Sequence, residues 1–158
     1  MITLQAMTEE EFKSFRVWLV EDYANDLVSN HHLSIDEARI DAAEAIDRML
    51  TKGLETPNHS LSNILFHNDS GRLRAGYLWT EINEDKKQCF IAEIYLHPEF
   101  RGRGLGRYVL EDLETHLRQR GITRIGLHVF ANNQAASQLY TKMGYQVTGL
   151  HMLKILDR

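Results

Sequence analysis

Residues 97–113, HPEFRGRGLGRYVLEDL, set three arginines (Arg101, Arg103, Arg107) and three glycines (Gly102, Gly104, Gly106) within residues 101–107. Glycine weakens regular structure and clustered like charges repel, yet a well-patterned helix follows at once. A helix N-terminus carries backbone N–H groups without internal partners and a partial positive charge. One bound anion satisfies both. Glycines without Cβ atoms let a bulky anion approach the backbone, and arginine adds fork-shaped donors suited to phosphate. The turn therefore suits a pyrophosphate. It is not a Walker A loop, because no Gly-Lys-Ser/Thr follows, and its Gly-x-Gly-x-Gly spacing fails the dinucleotide fingerprint. On this stretch alone, a solvated helix start that happens to be basic is the other reading.

The elements that would position this turn follow from periodicity. MITLQAM alternates as a first strand. Thr8 with Glu11, and later Ser34 with Glu37, give the capping pattern that opens a helix. Phe12, Phe15, Leu19, Tyr23 and Leu27 mark one helical face; Ile35, Ala38, Ala42, Ala45 and Met49 mark a second. Residues 60–67, 72–82 and 88–97 read as three neighbouring strands joined by NDSG and NEDKK turns, an antiparallel meander. A helix from about Gly104 to Arg120 repeats Leu105, Val109, Leu113 and Leu117, with Gly121 placed to end it. Residues 124–130 read as a strand, residues 131–144 as a short helix ended by Gly144, and 145–156 as a final strand or two. The predicted order is β-α-α-β-β-β-α-β-α-β: one mixed α/β domain over residues 1–158, its central sheet mixed and helices on both faces. The crossover joining the strands near 88–97 and 124–130 makes them parallel.

Bulk properties narrow the function classes. The 158 residues, 43% hydrophobic and 25% charged, suit one soluble domain. A net charge of −4 with no basic tail argues against nucleic acid. A single cysteine, Cys89, allows no internal disulfide and no thiolate zinc site, and reads as a small buried strand residue. The opening MITLQAMTEEEF lacks the basic and apolar regions of a signal peptide, and no segment reaches the ~18 apolar residues of a membrane span. A cytoplasmic protein is the expectation. The histidines show no ligand spacing, so no metal is assigned. Residues 9–48 hold eleven Asp or Glu against four Lys or Arg.

Arg101-x-x-Gly104-x-Gly106 resembles the Q/R-x-x-G-x-G/A acetyl-CoA signature of the GNAT superfamily of N-acetyltransferases. IYLHPEF looks like that family's fourth strand and its exit. Downstream, NQAASQLYTKMGY is similar to the family's second motif, with Asn133, Ala136, Leu139, Tyr140 and Gly144 in place and Tyr145 where Phe is usual. The motifs cover about 97–145; the first half of the chain matches only in outline.

The resemblance implies transfer of an acetyl group from acetyl-CoA, as cosubstrate, to an amine by direct attack. It implies an acetyl-CoA core over about 88–145 and an acceptor-shaping part over about 1–60. The amides of Gly102, Arg103, Gly104, Leu105 and Gly106 and the Arg101 side chain would take the pyrophosphate. Backbone groups of Ile94 and Leu96 would pair with the pantetheine arm and polarise the thioester, and Asn133 would contact the cofactor. Tyr140 holds the place of the general acid that protonates the departing thiolate. For deprotonating the acceptor, Glu93 and His128 are the candidates, with a water relay as the alternative; in the ribosomal-protein alanine acetyltransferases that this segment resembles, a glutamate stands where His128 does. The acidic residues 9–48 would favour a cationic amine if they shape the pocket, and are otherwise a solvated surface. The acceptor is an amine-bearing small molecule or a peptide or protein, neither nucleic acid nor membrane is a partner, and a homodimer is admitted. Two rivals remain at this point: an acyl-CoA-binding or sensory module without turnover, and an unrelated nucleotide-binding protein.

Overall fold

The structure, a computed structural model, describes residues 1–157. Its elements are β1 (Ile2–Ala6), α1 (Glu9–His31), α2 (Ile35–Met49), β2 (His59–Asn68), β3 (Gly71–Asn83), β4 (Gln88–Leu96), α3 (Leu105–Gln119), β5 (Arg124–Leu127) and α4 (Gln134–Lys142). The sheet runs β1-β2-β3-β4-β5. The first four strands pair antiparallel and β5 joins β4 in parallel, as a helical crossover through α3 requires.

Local signals account for the helix starts. The Thr8 hydroxyl accepts from the Glu11 N–H at 3.2 Å while the Glu11 carboxylate accepts from the Thr8 N–H at 2.9 Å, closing a capping box on α1. Ser34 caps α2 through the Glu37 N–H at 3.2 Å.

Each face of the sheet carries its own core. On one, Ile64, Leu78, Cys89 and Ile91 pack against Val109, Leu110, Leu113 and Leu117 of α3. On the other, Leu61 and Trp79 meet Phe12, Phe15 and Leu19 of α1 and Ile46 of α2. Full burial of each such side chain contributes about 1.5–3 kcal/mol. Ala24, Ala38 and Ala42, all fully buried, let α1 and α2 approach closely.

One irregularity matters for function. Trp79 lies opposite Glu93 and Thr80 opposite Ile91, so Ala92 has no partner across the ladder: a β-bulge. Simple alternation from Ile91 would send Glu93 into the α3 core. The extra residue instead aligns Glu93 with Trp79, on the face that α1 covers.

Three expectations need correction. The buried face of α2 is Ala38, Ala42 and Ile46, and Met49 is exposed where Ala45 and Met49 were expected to pack. The strand expected over 124–130 ends at Leu127. No strand forms after α4 among the described residues: 145–156, the last β of the predicted order, runs without one. A strand needs a partner for its backbone, and the first of these residues, Tyr145, Gln146 and Thr148, line a groove that also exposes the edge of β5.

Candidate active site

β4 and β5 pair only over Gln88–Ile91 and Arg124–Leu127. Residues 92–96 of β4 go on with β3 on one side and no strand on the other. The two strands part where the bulge falls, with Glu93, Ile94 and Leu96 on the stretch of β4 beyond it.

The turn expected to hold the pyrophosphate leaves the start of α3 open. Gly104 caps α3 at φ 76°, a left-handed conformation that L side chains adopt at a cost of about 1–2 kcal/mol. It offers no capping side chain, and the first turn holds no acidic residue. The first amides of α3 are therefore left for something outside the chain. Gly106 has a packing reason as well: a Cβ there would sit 3.4 Å from Leu139 of α4 and 3.8 Å from Leu96 of β4. The arginines are partly engaged. Arg101 donates its Nε–H to the Leu96 carbonyl at 2.8 Å and lies 5.1 Å over the Tyr95 ring. Arg103 lies 5.8 Å over Phe100, and Arg107 pairs with Glu111 at 2.8 Å. Among the expected pantetheine contacts, the Leu96 carbonyl thus already has a donor.

Tyr140 is set by the end of its own helix. The Tyr145 N–H bonds back to the Tyr140 carbonyl at 2.9 Å and the Gly144 N–H to Thr141 at 3.1 Å, a closure for which Gly144 takes φ 96°. The rings of Tyr140 and Tyr145 then meet at a 60° tilt, their centroids 5.6 Å apart. Asn133, expected on the cofactor, accepts from the Ala136 N–H at 3.2 Å and so caps α4.

Electrostatics distinguish the candidate bases. Burial, then Asp22 and Asp26 of α1, push Glu93 up to about 8, against a hydrogen bond from the Ile94 N–H. Asp26 is itself pushed up to about 6 by burial and by Asp22. Tyr140 is raised to about 12 by burial and by the Glu93 carboxylate. Glu93 and Tyr140 are therefore electrostatic neighbours across the gap. His128 keeps other company. It sits just past the end of β5, its ring 4.7 Å from Phe130, which His31 also meets at 6.0 Å. Its pKa is lowered by burial and then by His31 and His151. Asn30 Nδ2 donates to Asn132 Oδ1 at 3.1 Å, tying the loop after β5 to α1.

Sequence reading did not single out Asp22, Asp26 or Tyr95. The signal for the first two was present as acidic residues one helical turn apart. Tyr95, two residues beyond Glu93, packs on Trp18 at 4.5 Å and Tyr77 at 6.2 Å, an aromatic wall beside the carboxylates. Among the described residues no group of three or more His, Cys, Asp or Glu is arranged to hold a metal ion, and no helix is long and apolar enough to cross a membrane.

A carboxyl group that takes up a proton near neutrality, a phenol that keeps one, and a helix N-terminus without a side-chain cap can serve acyl transfer to an amine. Comparison with known families decides the matter, because the acetyltransferase (GNAT) family model matches residues 8–145. The chain belongs to the GNAT family of acetyltransferases. YdgE of Bacillus subtilis (strain 168), an uncharacterized N-acetyltransferase, is 38% identical over 156 residues, 98% of each chain. The crystal structure of YycN, an uncharacterized N-acetyltransferase of the same organism, superposes with a TM-score of 0.89 at 31% identity over 100% of both chains. At the level of fold, the PaiA N-acetyltransferase of Thermoplasma acidophilum, solved in complex with coenzyme A, superposes with a TM-score of 0.66 at 18% identity, covering 96% of this chain and 93% of its own. This GNAT chain is thus an acyltransferase with the family's mixed α/β fold.

Proposed function

We propose that the protein transfers the acetyl group of acetyl-CoA to an amine by direct attack, with Glu93 as general base and Tyr140 as general acid. What supports this reading is the parting of β4 from β5 beyond Ile91, which leaves Glu93 on a stretch of β4 with one open side, together with the effect of its carboxylate on the Tyr140 phenol. The uncapped amides of residues 102–106 would hold the pyrophosphate, and Ile94 would offer backbone groups to the pantetheine arm. Bound acetyl-CoA supplies the acetyl group as a thioester and departs as the thiol.

Glu93 takes one proton from the incoming ammonium, freeing the nitrogen lone pair for attack on the thioester carbonyl. As the C–S bond breaks, Tyr140 gives its proton to the departing sulfur, and its phenolate is made whole by the second proton that the newly acylated nitrogen sheds. An alkyl ammonium holds its proton to about 10.4, so a base raised to about 8 is better matched to it than an ordinary carboxylate. Asp22 and Asp26 add negative potential on the same side, which favours an acceptor arriving as a cation. His128 is not the base in this reading, because its electrostatic neighbours are His31 and His151. A binding module without turnover would have no use for a buried carboxyl and phenol held together.

The test is a panel of amines assayed by coenzyme A release, with the parent and Glu93→Gln compared over pH. Release with at least one amine, rising with pH in the parent and flattened in the variant, is the expected result. Tight acetyl-CoA binding with no release across the panel would overturn it.

A further inference from the structure

Strand β5 has a single neighbour, β4. Its other edge opens onto a groove of about 980 Å³. Every β5 residue lines it, as do residues 143–146 and Thr148, and Glu114, Leu117 and Arg118 of α3. A free sheet edge is a template for another strand.

The chain also carries an unpaired segment that suits such an edge. Among the described residues, 146–157 form no strand and make no backbone hydrogen bond. Yet this stretch, QVTGLHMLKILD, is rich in apolar residues. Leu150, Met152 and Leu156 are 82%, 86% and 80% exposed. An exposed apolar run and an open edge are each a liability, and each answers the other.

The chain does not cover its own edge. Gln146 and Thr148 line the groove, and the His151 ring lies 5.8 Å from His31 at the end of α1. The chain therefore runs on past Gly149 without reversing. Turning back into its own groove would need a tight reversal within residues 150–156, which contain no Gly, Pro, Asn or Asp. Those are the residues tight hairpin turns draw on.

We propose that residues 150–156 insert as a strand beside β5 of a second copy, whose own tail inserts reciprocally, giving a two-fold dimer with exchanged strands. The inserted backbone pairs with the free edge, and alternate side chains face opposite sides of the extended sheet. The fold shared with YycN covers 100% of this chain, so the tail belongs to a fold in common.

The test is sedimentation velocity on the full chain over a range of concentrations, with hydrogen exchange read at the amides of Arg124–Leu127 and 150–156. The expected result is a dimer of the 18.3 kDa chain with slow exchange in both segments. Leu153→Pro removes a ladder N–H, and Met152→Lys and Leu153→Lys put a charge on either strand face without entering the isolated chain's core. All three should weaken dimerisation at least tenfold and release both segments together. A monomer with both segments slow would mean insertion into its own groove. A monomer with both fast, or a dimer with both fast, would mean that the tail does not exchange. Each of these three overturns the proposal.

Discussion

The carboxylate of Glu93 and the hydroxyl of Tyr140 are coupled across the gap between β4 and β5: after burial, Glu93 is what raises the Tyr140 pKa. The pair spans the sheet, since Glu93 shares its face with Trp79 under α1 while Tyr140 packs with the α3 core.

If Glu93 is the base, kcat/KM in the parent should climb with pH through about 8, where the free carboxyl loses its proton. Glu93→Gln should lower kcat by about 10²–10⁴-fold and abolish that limb. His128→Ala should keep the limb. A pH profile of each variant on a confirmed acceptor checks this, and loss of the limb in the histidine variant alone would exchange the assignments.

Asp26→Asn removes one of the negative neighbours that hold the proton on Glu93. The acidic limb should then move to lower pH. If the acceptor is a cation, KM should rise in the same variant while it stays near the parent's value for a neutral amine analogue. The pH profile and KM on paired cationic and neutral acceptors test both parts.

Tyr140→Phe removes only a hydroxyl, so packing on Tyr145 should survive. With a phenol raised to about 12, the acid form persists through the working range, and no basic limb should come from it. The variant should lose about 10²–10⁴-fold in kcat with acetyl-CoA affinity nearly unchanged, because the proton is needed in the transition state. Retention of more than about half of the parental kcat would remove Tyr140 from the chemistry.

Gly104→Glu places a side chain on a left-handed backbone and a negative charge at the start of α3. Acetyl-CoA should bind about tenfold more weakly or worse, a loss of at least about 1.4 kcal/mol. Calorimetric titration beside a circular dichroism spectrum separates lost binding from lost fold. A folded variant with parental affinity would move the pyrophosphate elsewhere.

Glu93 should also cost stability. In the unfolded chain it ionises near 4.5, and in the folded one it keeps its proton to about 8. Between those values the folded state binds more protons, so stability falls as pH rises. The full difference is on the order of 5 kcal/mol. Glu93→Gln should therefore gain on the parent between pH 5 and 8, measured by urea midpoints at both. Parallel midpoints would mean that the carboxyl is not held protonated.

Much of the fold was legible because its signals are local. The capping pair Thr8 and Glu11, the NDSG turn and the crossover through α3 each depend on residues near in sequence, and each appears as read. The family motifs likewise pointed to the turn at 101–106 and to Tyr140. What sequence could not give was decided by contacts between distant segments. The approach of Asp22 and Asp26 to Glu93 depends on how α1 lies across β4. The carbonyl of Leu96 is taken by Arg101, and Asn133 is turned to its own helix. The strand expected after Tyr145 has the right residues, but a strand needs a partner and the chain offers it none within reach.

The unpaired Ala92 carries a consequence for what kind of mutation this enzyme can survive. Pairing with β5 stops at Ile91, the residue before the bulge, and a bulged strand bends away from its neighbour. A chain lacking Ala92 would regain a regular ladder with β3, and Glu93 would still fall on the side of Trp79. Both Glu93 and Tyr140 would be present, but β4 would lose its bend and could pair further along the segment after Leu127. The gap beside Glu93 thus begins at one small residue for which no chemistry is proposed, and a deletion there is expected to narrow it.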